Sequence, residues 1–152
     1  MKPKLLVSAC LLGTPCRYDG KSKKNEAVCA LAERFELIPV CPEVLGGLPT
    51  PRTPSERRGA CVVRKDGRDV TAEYRLGAEC ALETARREGV LAAVLKERSP
   101  SCGSGEIYDG TFTGALTAGD GVTAELLKAN GMTVYGEGEQ SLTEFLCSIS
   151  HS

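Results

Sequence analysis

Residues 4–10, KLLVSAC, place a cysteine directly after a short, mainly apolar run. Such a run is typical of a strand buried on both faces of a parallel sheet. The same order recurs twice, because Cys41 follows FELIPV at 35–40 and Cys102 follows VLAAVLKERSPS at 90–101. In an open parallel sheet the carboxyl ends of the strands border one crevice, where ligands bind. We therefore expect these three thiols to converge in space.

Helical patterns separate the apolar runs. The predicted strands cover 4–8, 36–40, 91–95 and 132–135, and the predicted helices cover about 26–33, 72–88, 122–130 and 141–147. The Asp66-Gly67 pair between β-branched runs predicts a hairpin, and 41–59 and 98–121 are predicted as long loops. Strands that alternate with helices predict an α/β chain with a mostly parallel sheet. We expect a three-layer Rossmann-like fold in a single domain over 1–152.

The charge balance argues against a nucleic-acid surface. Such a surface needs an excess of Lys and Arg, whereas here 19 basic side chains stand against 20 acidic ones. No apolar run approaches the roughly 20 residues of a membrane span, and the first run is too short for a signal peptide. We expect a cytoplasmic protein that binds neither a nucleic acid polymer nor a membrane. The sequence makes no prediction of the oligomeric state.

Eight cysteines are many for a cytoplasmic chain of 152 residues. Disulfides are rare in that compartment, so metal, cluster and thiol chemistry come into question. The sequence holds no CxxC pair, which excludes the usual zinc-ribbon and ferredoxin spacings. Four cysteines lie among apolar neighbours on predicted helices or the hairpin and are interpreted as packing residues: Cys29, Cys61, Cys80 and Cys147. Residues typical of turns follow each of the three strand-end cysteines, Cys10, Cys41 and Cys102. For these three, both packing and ligation therefore remain open.

The polar residues beside these cysteines are candidates for proton transfer. Glu43 lies two residues past Cys41, where it either donates and accepts protons beside a bound metal or cluster or caps the next turn. Ser99 and Ser101 come just before Cys102, and turn formation is the alternative to a catalytic role. The single histidine, His151, lies next to the C-terminus and is not expected to act as a ligand or base.

Two arginine-containing segments and one glycine-rich segment allow further interpretations. Residues 17–19, RYD, either bind a polar substrate or form a loop network. Arg52, Arg57 and Arg58 are interpreted as a solvated face rather than an anion site. The segment GSGEIYDG at 103–110 lacks the Lys-Ser/Thr ending of a phosphate loop, so nucleotide-phosphate binding is not expected there.

Four motifs in order resemble one bacterial family, the thiouracil desulfidases: SACLLG at 8–13, CRYDG at 16–20, VCPEVLGGLPTPR at 40–52 and ERSPSCG at 97–103. The resemblance runs from Lys4 to about Gly136. It implies a 4Fe–4S cluster held by Cys10, Cys41 and Cys102, which leaves one iron without a protein ligand. It implies no ligand role for Cys16, and it implies that Glu43 and Ser101 assist catalysis.

The resemblance leads to a specific expectation of function. We expect an enzyme that removes sulfur without net redox change from a thiolated nucleobase such as 2-thiouracil, yielding the oxo compound and sulfide. An alternative is a sulfur-transfer or redox partner protein that carries a cluster or thiols but has no hydrolytic activity. A structural zinc or cysteine-packed binding module is a third possibility. Glu43 separates the first two, because hydrolysis needs an acid/base and a sulfur carrier does not.

Overall fold

The computed structural model describes residues 2–150, apart from the side chain of Ser150, and His151 lies outside this range. In chain order the elements are β1 (Lys4–Ser8), a short 3-10 helix (Ala9–Leu12), α1 (Glu26–Ala30), a second 3-10 helix (Leu31–Glu33), β2 (Glu36–Val40), α2 (Pro42–Leu45), β3 (Ser55–Arg58), β4 (Cys61–Arg64), α3 (Thr71–Glu88), β5 (Ala92–Leu95), β6 (Glu106–Tyr108), β7 (Leu116–Ala118), α4 (Val122–Ala129), β8 (Val134–Gly136) and α5 (Glu139–Ser150).

The central sheet has four parallel strands in the order β2-β1-β5-β8. In β1, Leu6 is aligned with Ile38 on one side and with Ala93 on the other. This inner position explains why residues 5–8 are all buried. Pro39 lies in β2, an edge strand, where a residue without an N–H is tolerated. Because β2 and β5 lie on opposite sides of β1, the topological switch point falls at the carboxyl ends of β1 and β5.

Helices cover both faces of this sheet. Leu5 packs on one face with Phe145 of α5 and with α1. Leu6, one residue later, packs on the opposite face with Leu127 of α4 and with α3. This alternation follows from the two-residue period of a strand, and each fully buried leucine contributes roughly 1.5–3 kcal/mol. The three-layer Rossmann-like fold with a parallel sheet is confirmed.

Local signals at helix ends behave as the sequence predicts. The Asn25 side chain accepts a hydrogen bond from the backbone N–H of Val28 (3.0 Å) at the start of α1, which satisfies one of the unpaired N–H groups of a first turn. Gly89 ends α3 in a left-handed conformation, with φ of 66°, that a residue with a Cβ adopts at a cost. The last helix is longer than predicted, and the last strand begins two residues later than predicted.

The predicted hairpin at Asp66-Gly67 forms, but its pairing is short. Val63 and Asp69 make an antiparallel bridge, and the backbone N–H groups of Arg64 and Val70 donate to the carbonyls of Arg68 (2.8 Å) and Val62 (2.9 Å). The longer ladder, which was not predicted, pairs β4 with the preceding β3 in the register Ser55↔Arg64 to Arg58↔Cys61. The four residues of β3, SERR, carry no apolar alternation that would predict a strand.

Two predicted loops also contain secondary structure. The first holds α2, which begins directly after Cys41. The second holds the hairpin of β6 and β7. Of these six strand residues, Ile107 alone is buried, so the segment carries little of the apolar alternation that predicts a strand. Within residues 2–150, no helix combines the length and the apolar character that crossing a bilayer requires.

Candidate functional site

A cavity of about 650 Å³ opens at the carboxyl ends of the sheet strands. Cys10, Cys41 and Cys102 all line it, together with Glu43 and Ser99. The arrangement follows from the topology, because β1 and β5 flank the switch point and β2 lies beside β1. The structure therefore brings the three strand-end thiols and the candidate acid/base to one site.

The backbone around each thiol differs. Cys10 lies in the 3-10 helix that follows β1, and its carbonyl accepts a hydrogen bond from the backbone N–H of Lys23 (3.0 Å). Cys41 has an extended conformation and precedes the first turn of α2. The backbone N–H of Cys102 donates to the Ser99 hydroxyl (3.1 Å), which also accepts from the Ser101 N–H (3.0 Å). Ser99 thus shapes the turn that carries the third thiol.

A fourth cysteine, Cys16, lies in the same cavity. Its thiol interacts with the Cys10 and Cys41 thiols, and the contact with Cys10 is the main cause that raises the pKa of Cys16. The Cys41 thiol donates to the carbonyl of Cys16 (3.7 Å). The contact with Cys16 and burial together raise the pKa of Cys41. The sequence placed Cys16 outside the ligand set, and the structure places it between two predicted ligands.

Burial dominates at the third thiol. Loss of solvent raises the pKa of Cys102 to about 12, because a thiolate in an apolar environment is poorly stabilised. With their pKa values raised, Cys41 and Cys102 are neutral thiols near neutral pH until a bound cation favours the thiolate. Iron does so, since ligation replaces the thiol proton.

The donor set of three cysteine sulfurs fits an iron–sulfur cluster. Within residues 2–150, no three Cys, His, Asp or Glu side chains are grouped as the ligands of one ion would be. In a cluster each cysteine binds a separate iron, so the ligating sulfurs are spread around the cluster. Sulfur donors favour such clusters, and Cys10, Cys41 and Cys102 enter the cavity from three different segments.

Glu43 is held at the cavity by two side chains. Its Oε2 accepts hydrogen bonds from Arg52 Nε (3.2 Å) and from the Tyr74 hydroxyl (2.8 Å). Arg52 is in turn fixed by the carbonyl of Cys16 (3.0 Å). The Arg52 and Glu43 side chains are 6% and 18% exposed, so the pair is poorly screened by water.

Arg52 and Tyr74 are the residues of this network that sequence reasoning missed. The interpretation of Arg52 as part of a solvated face is wrong, although its place at the end of the VCPEVLGGLPTPR motif was an available signal. Nothing distinguishes Tyr74 from the other core positions of α3. Burial and the adjacent Glu43 carboxylate raise the pKa of Tyr74, so its phenol stays protonated and donates to that carboxylate.

Two glycines set the distance between Glu43 and Tyr74. A Cβ on Gly77 of α3 would lie 1.9 Å from the carbonyl oxygen of Pro42, and a Cβ on Gly46 would lie 2.0 Å from that of Glu73. Neither approach is possible for a residue with a side chain. The backbone at α2 therefore rests directly on α3, which brings Glu43 within reach of the Tyr74 hydroxyl.

Ser101 lies behind the cavity wall. Its side chain is fully buried, its hydroxyl is 2.8 Å from the Thr123 hydroxyl, and the Cys102 thiol donates to it across 3.8 Å. Residues that line the cavity include Ser99 and Ser8. The Ser8 hydroxyl accepts a hydrogen bond from the backbone N–H of Lys96 (2.8 Å). The position of Ser101 suits an action on the Cys102 sulfur.

The remaining candidates lie in other surroundings. Arg17 and Tyr18 line the cavity, and Arg17 also pairs with Asp19 (3.6 Å), so the loop contact is present and binding of a polar substrate by this segment stays a prediction. Arg57 pairs with Glu125 (2.7 Å) and is 14% exposed, which makes the solvated-face interpretation wrong for it as well. The described cysteines that do not line the cavity are Cys29, Cys61, Cys80 and Cys147. Cys61 and Cys147 are exposed rather than packed.

A family model described as 2-thiouracil desulfurase matches residues 5–139. The chain belongs to the 2-thiouracil desulfurase family. It is 44% identical over 145 residues to the uncharacterized protein YbbK of Bacillus subtilis (strain 168), covering 89% of this chain and 96% of that protein. The resemblance inferred from the four sequence motifs is thereby confirmed.

A solved structure with this fold is that of the 4Fe–4S-dependent thiouracil desulfidase TudS. It matches with a TM-score of 0.91 and 49% sequence identity, and the match covers 99% of this chain and all of that one. Agreement of backbone at this level means that the two chains share one fold over almost their whole length.

Proposed function

We propose that this desulfurase-family protein is a 4Fe–4S-dependent enzyme that converts 2-thiouracil, or a related thiolated nucleobase, to the oxo compound and sulfide. The observation that carries the proposal is the match over the whole chain to a 4Fe–4S-dependent thiouracil desulfidase. It is supported by the Cys10, Cys41 and Cys102 thiols and the Glu43 carboxylate, which line the same cavity. The reaction consumes one water and releases one sulfide, so it needs no electron donor.

We assign Cys10, Cys41 and Cys102 as the cluster ligands, each as a thiolate. When bound, the cluster supplies an iron that acts as a Lewis acid toward a soft thiocarbonyl sulfur. The chain's own contribution is to hold the cluster by three segments and to leave Cys16 as a cavity thiol outside the ligand set. This assignment follows the motifs SACLLG, VCPE and SPSCG.

Glu43 is the proposed acid/base. Both of its hydrogen bonds end on Oε2, and no described residue donates to Oε1, which leaves that oxygen for water or substrate in the cavity. In this role Glu43 takes a proton from the attacking water and returns one to a ring nitrogen or to the departing sulfur. Arg52 and Tyr74 orient the carboxylate so that it reaches these atoms.

Ser101 is proposed to assist through Cys102. In the ligating state the Cys102 sulfur carries no proton, so the Ser101 hydroxyl that contacts it would donate to the thiolate and would tune the ligand without touching the substrate, because hydrogen bonds to the sulfurs adjust the properties of a cluster. We propose the cytoplasm as the location, because a cluster held by thiolates suits a reducing compartment.

The test is sulfide release by anaerobically reconstituted protein supplied with 2-thiouracil. Wild-type protein is expected to bind iron, to show the visible absorption of a 4Fe–4S cluster and to release uracil and sulfide in equal amounts. Glu43→Gln should retain the iron and lose kcat by about 10²–10⁴-fold, the usual contribution of a general acid/base. A loaded wild-type protein that forms neither uracil nor sulfide from 2-thiouracil would contradict hydrolysis and favour the alternative of a carrier or redox partner without hydrolytic activity.

A further inference from the structure

Phe112 has a backbone conformation that its side chain disfavours. Among residues 2–150, two non-glycine residues have positive φ, Arg98 at 67° and Phe112 at 58°, and both line the cavity. Left-handed backbone costs a residue with a Cβ roughly 1–2 kcal/mol, and it is unusual for a bulky side chain. Such strain persists where the surrounding structure enforces it, often at a functional site.

The enforcing contacts come from β3. Glu56 Oε1 accepts hydrogen bonds from the backbone N–H groups of Gly110 (2.9 Å) and Phe112 (3.1 Å). Arg58 Nε donates to the carbonyl of Gly110 (2.7 Å), and its guanidinium lies 5.9 Å from the centre of the Phe112 ring. One carboxylate and one guanidinium thus bind the loop 109–114 to the β3–β4 hairpin.

The Phe112 ring is only partly packed against the rest of the protein. It is half-buried and belongs to none of the three apolar clusters that the described residues form. A flat apolar ring is instead presented to a cavity that also holds the candidate ligands. The substrates of the proposed function are flat heteroaromatic rings, and stacking on an aromatic side chain contributes roughly 1–3 kcal/mol per base.

We propose that Phe112 is a substrate-binding residue that stacks against the thiolated ring, with Glu56 as the positioning residue that holds its backbone. This inference rests on the proposed function, because it assigns a contact to the same substrate. The strain at Phe112 has a role under this assignment: it directs the ring into the cavity, where a relaxed backbone would direct it elsewhere.

Phe112→Gly separates this role from a structural one. Glycine takes the positive φ without strain, so the variant should be at least as stable as wild type in thermal unfolding. In the reconstituted enzyme its KM for 2-thiouracil should rise about tenfold with kcat unchanged, which is the signature of lost binding shared by ground and transition states. The affinity for uracil, measured by calorimetry on the same holoenzyme, should fall by the same factor. Phe112→Tyr should keep both values.

Two further variants control the experiment. Thr113→Gly changes the same loop at an exposed residue that does not line the cavity, and it should leave KM and uracil affinity unchanged. Glu56→Ala should raise KM in the direction of Phe112→Gly, and the double variant should show no further increase, because both changes remove one interaction.

Three outcomes overturn the assignment. The first is a KM and a uracil affinity of Phe112→Gly within about twofold of wild type, the usual spread for independent sites. The second is a loss of stability that accounts for the loss of activity, and the third is wild-type holoenzyme that does not bind uracil. Wild-type holoenzyme that binds uracil but releases no sulfide contradicts the proposed function instead, and uracil calorimetry on both proteins then decides the stacking role.

Discussion

At the scale of single residues, the cavity thiols of Cys41 and Cys102 contact neutral polar groups. Cys102 is fully buried beside the Ser101 hydroxyl, while Cys41 donates to the carbonyl of Cys16. Neither contact supplies a positive charge: burial raises the pKa of Cys102 by more than hydrogen bonds from the Ser8 and Ser101 hydroxyls lower it, and a bound iron would supply the charge that keeps the ligands deprotonated. The three candidate ligands should therefore respond alike to substitution.

We expect Cys10→Ala, Cys41→Ala and Cys102→Ala each to lose most of the iron after anaerobic reconstitution. Cys29→Ala is the matched control, because its thiol donates to the carbonyl of Leu11 (3.7 Å) and does not line the cavity. Iron content per chain, checked against the visible absorption of the cluster, measures the effect. Equal iron in all four variants would remove the three cysteines from the ligand set.

Arg52 and Tyr74 act on Glu43 and not on the substrate in this arrangement. Tyr74 is 2% exposed, and its hydroxyl is the group that contacts Glu43. Replacing it by phenylalanine removes a hydrogen bond and keeps the packing. A hydrogen bond to a charged group is worth about 1.5–3 kcal/mol, so its loss is measurable.

Tyr74→Phe should lower kcat by about tenfold or more and leave KM and iron content near wild type. The physical reason is that Glu43 loses one of the two donors that orient Oε2. Tyr135→Phe is the control, since its hydroxyl donates to the exposed Ser148 side chain (3.4 Å) away from the site. A kcat for Tyr74→Phe equal to that of the control would mean that Arg52 alone positions the carboxylate.

At the scale of elements, the contact between α2 and α3 controls the site. The four residues of α2 are too few to form a stable helix alone, and they are held by packing against α3 through Gly46 and Gly77. Glycine inside a helix normally destabilises it by about 0.5–1 kcal/mol relative to alanine. At Gly77 that preference is reversed, because the Cβ of an alanine would collide with the carbonyl oxygen of Pro42.

Gly77→Ala should destabilise the protein by about 1–3 kcal/mol, as overpacking does, and should lower kcat because α2 carries Glu43 away from Tyr74. Denaturant unfolding and sulfide release measure the two effects. Glu79→Ala, exposed on the same helix, should change stability by less than about 0.5 kcal/mol. A stabilising effect of Gly77→Ala would show that α2 moves aside freely.

At the scale of the whole molecule, the cavity joins segments that lie far apart in the chain. The three proposed ligands follow β1, β2 and β5, so a bound cluster would connect the carboxyl ends of three strands of one sheet. A ligand that binds only the folded state stabilises it by mass action, by about 2.7 kcal/mol at a hundredfold excess over Kd. Removal of the cluster should therefore be visible in global stability.

Cluster-loaded protein should unfold about 5–10 °C above the chelator-treated form, given about 2–4 °C per kcal/mol for a chain of this size. Anaerobic thermal unfolding followed by circular dichroism measures the difference. Cys102→Ala should show the low value under both conditions. Identical transitions for loaded and stripped wild type would contradict the assignment of a cluster that bridges the strands.

Much of the fold was predictable because its signals are local. The runs before Cys10 and Cys41 alternate with helical periods, and Asn25 and Gly89 mark helix ends; all of these depend on neighbours within a few residues. The pairing of β4 with β3 was not predictable, since the four residues of β3, SERR, are all polar and carry no apolar alternation. The single-domain boundary over 1–152 stays a prediction.

The sequence by itself determined the parallel α/β architecture, the family and the choice of Cys10, Cys41 and Cys102, because strand periodicity and contiguous motifs carry that information. Only the tertiary structure decided the partners of Glu43 and the place of Phe112. Tyr74 lies 31 residues from Glu43, and Phe112 lies 56 residues from Glu56. Such contacts arise from how helices and hairpins pack on the sheet, and no local pattern in the chain encodes them.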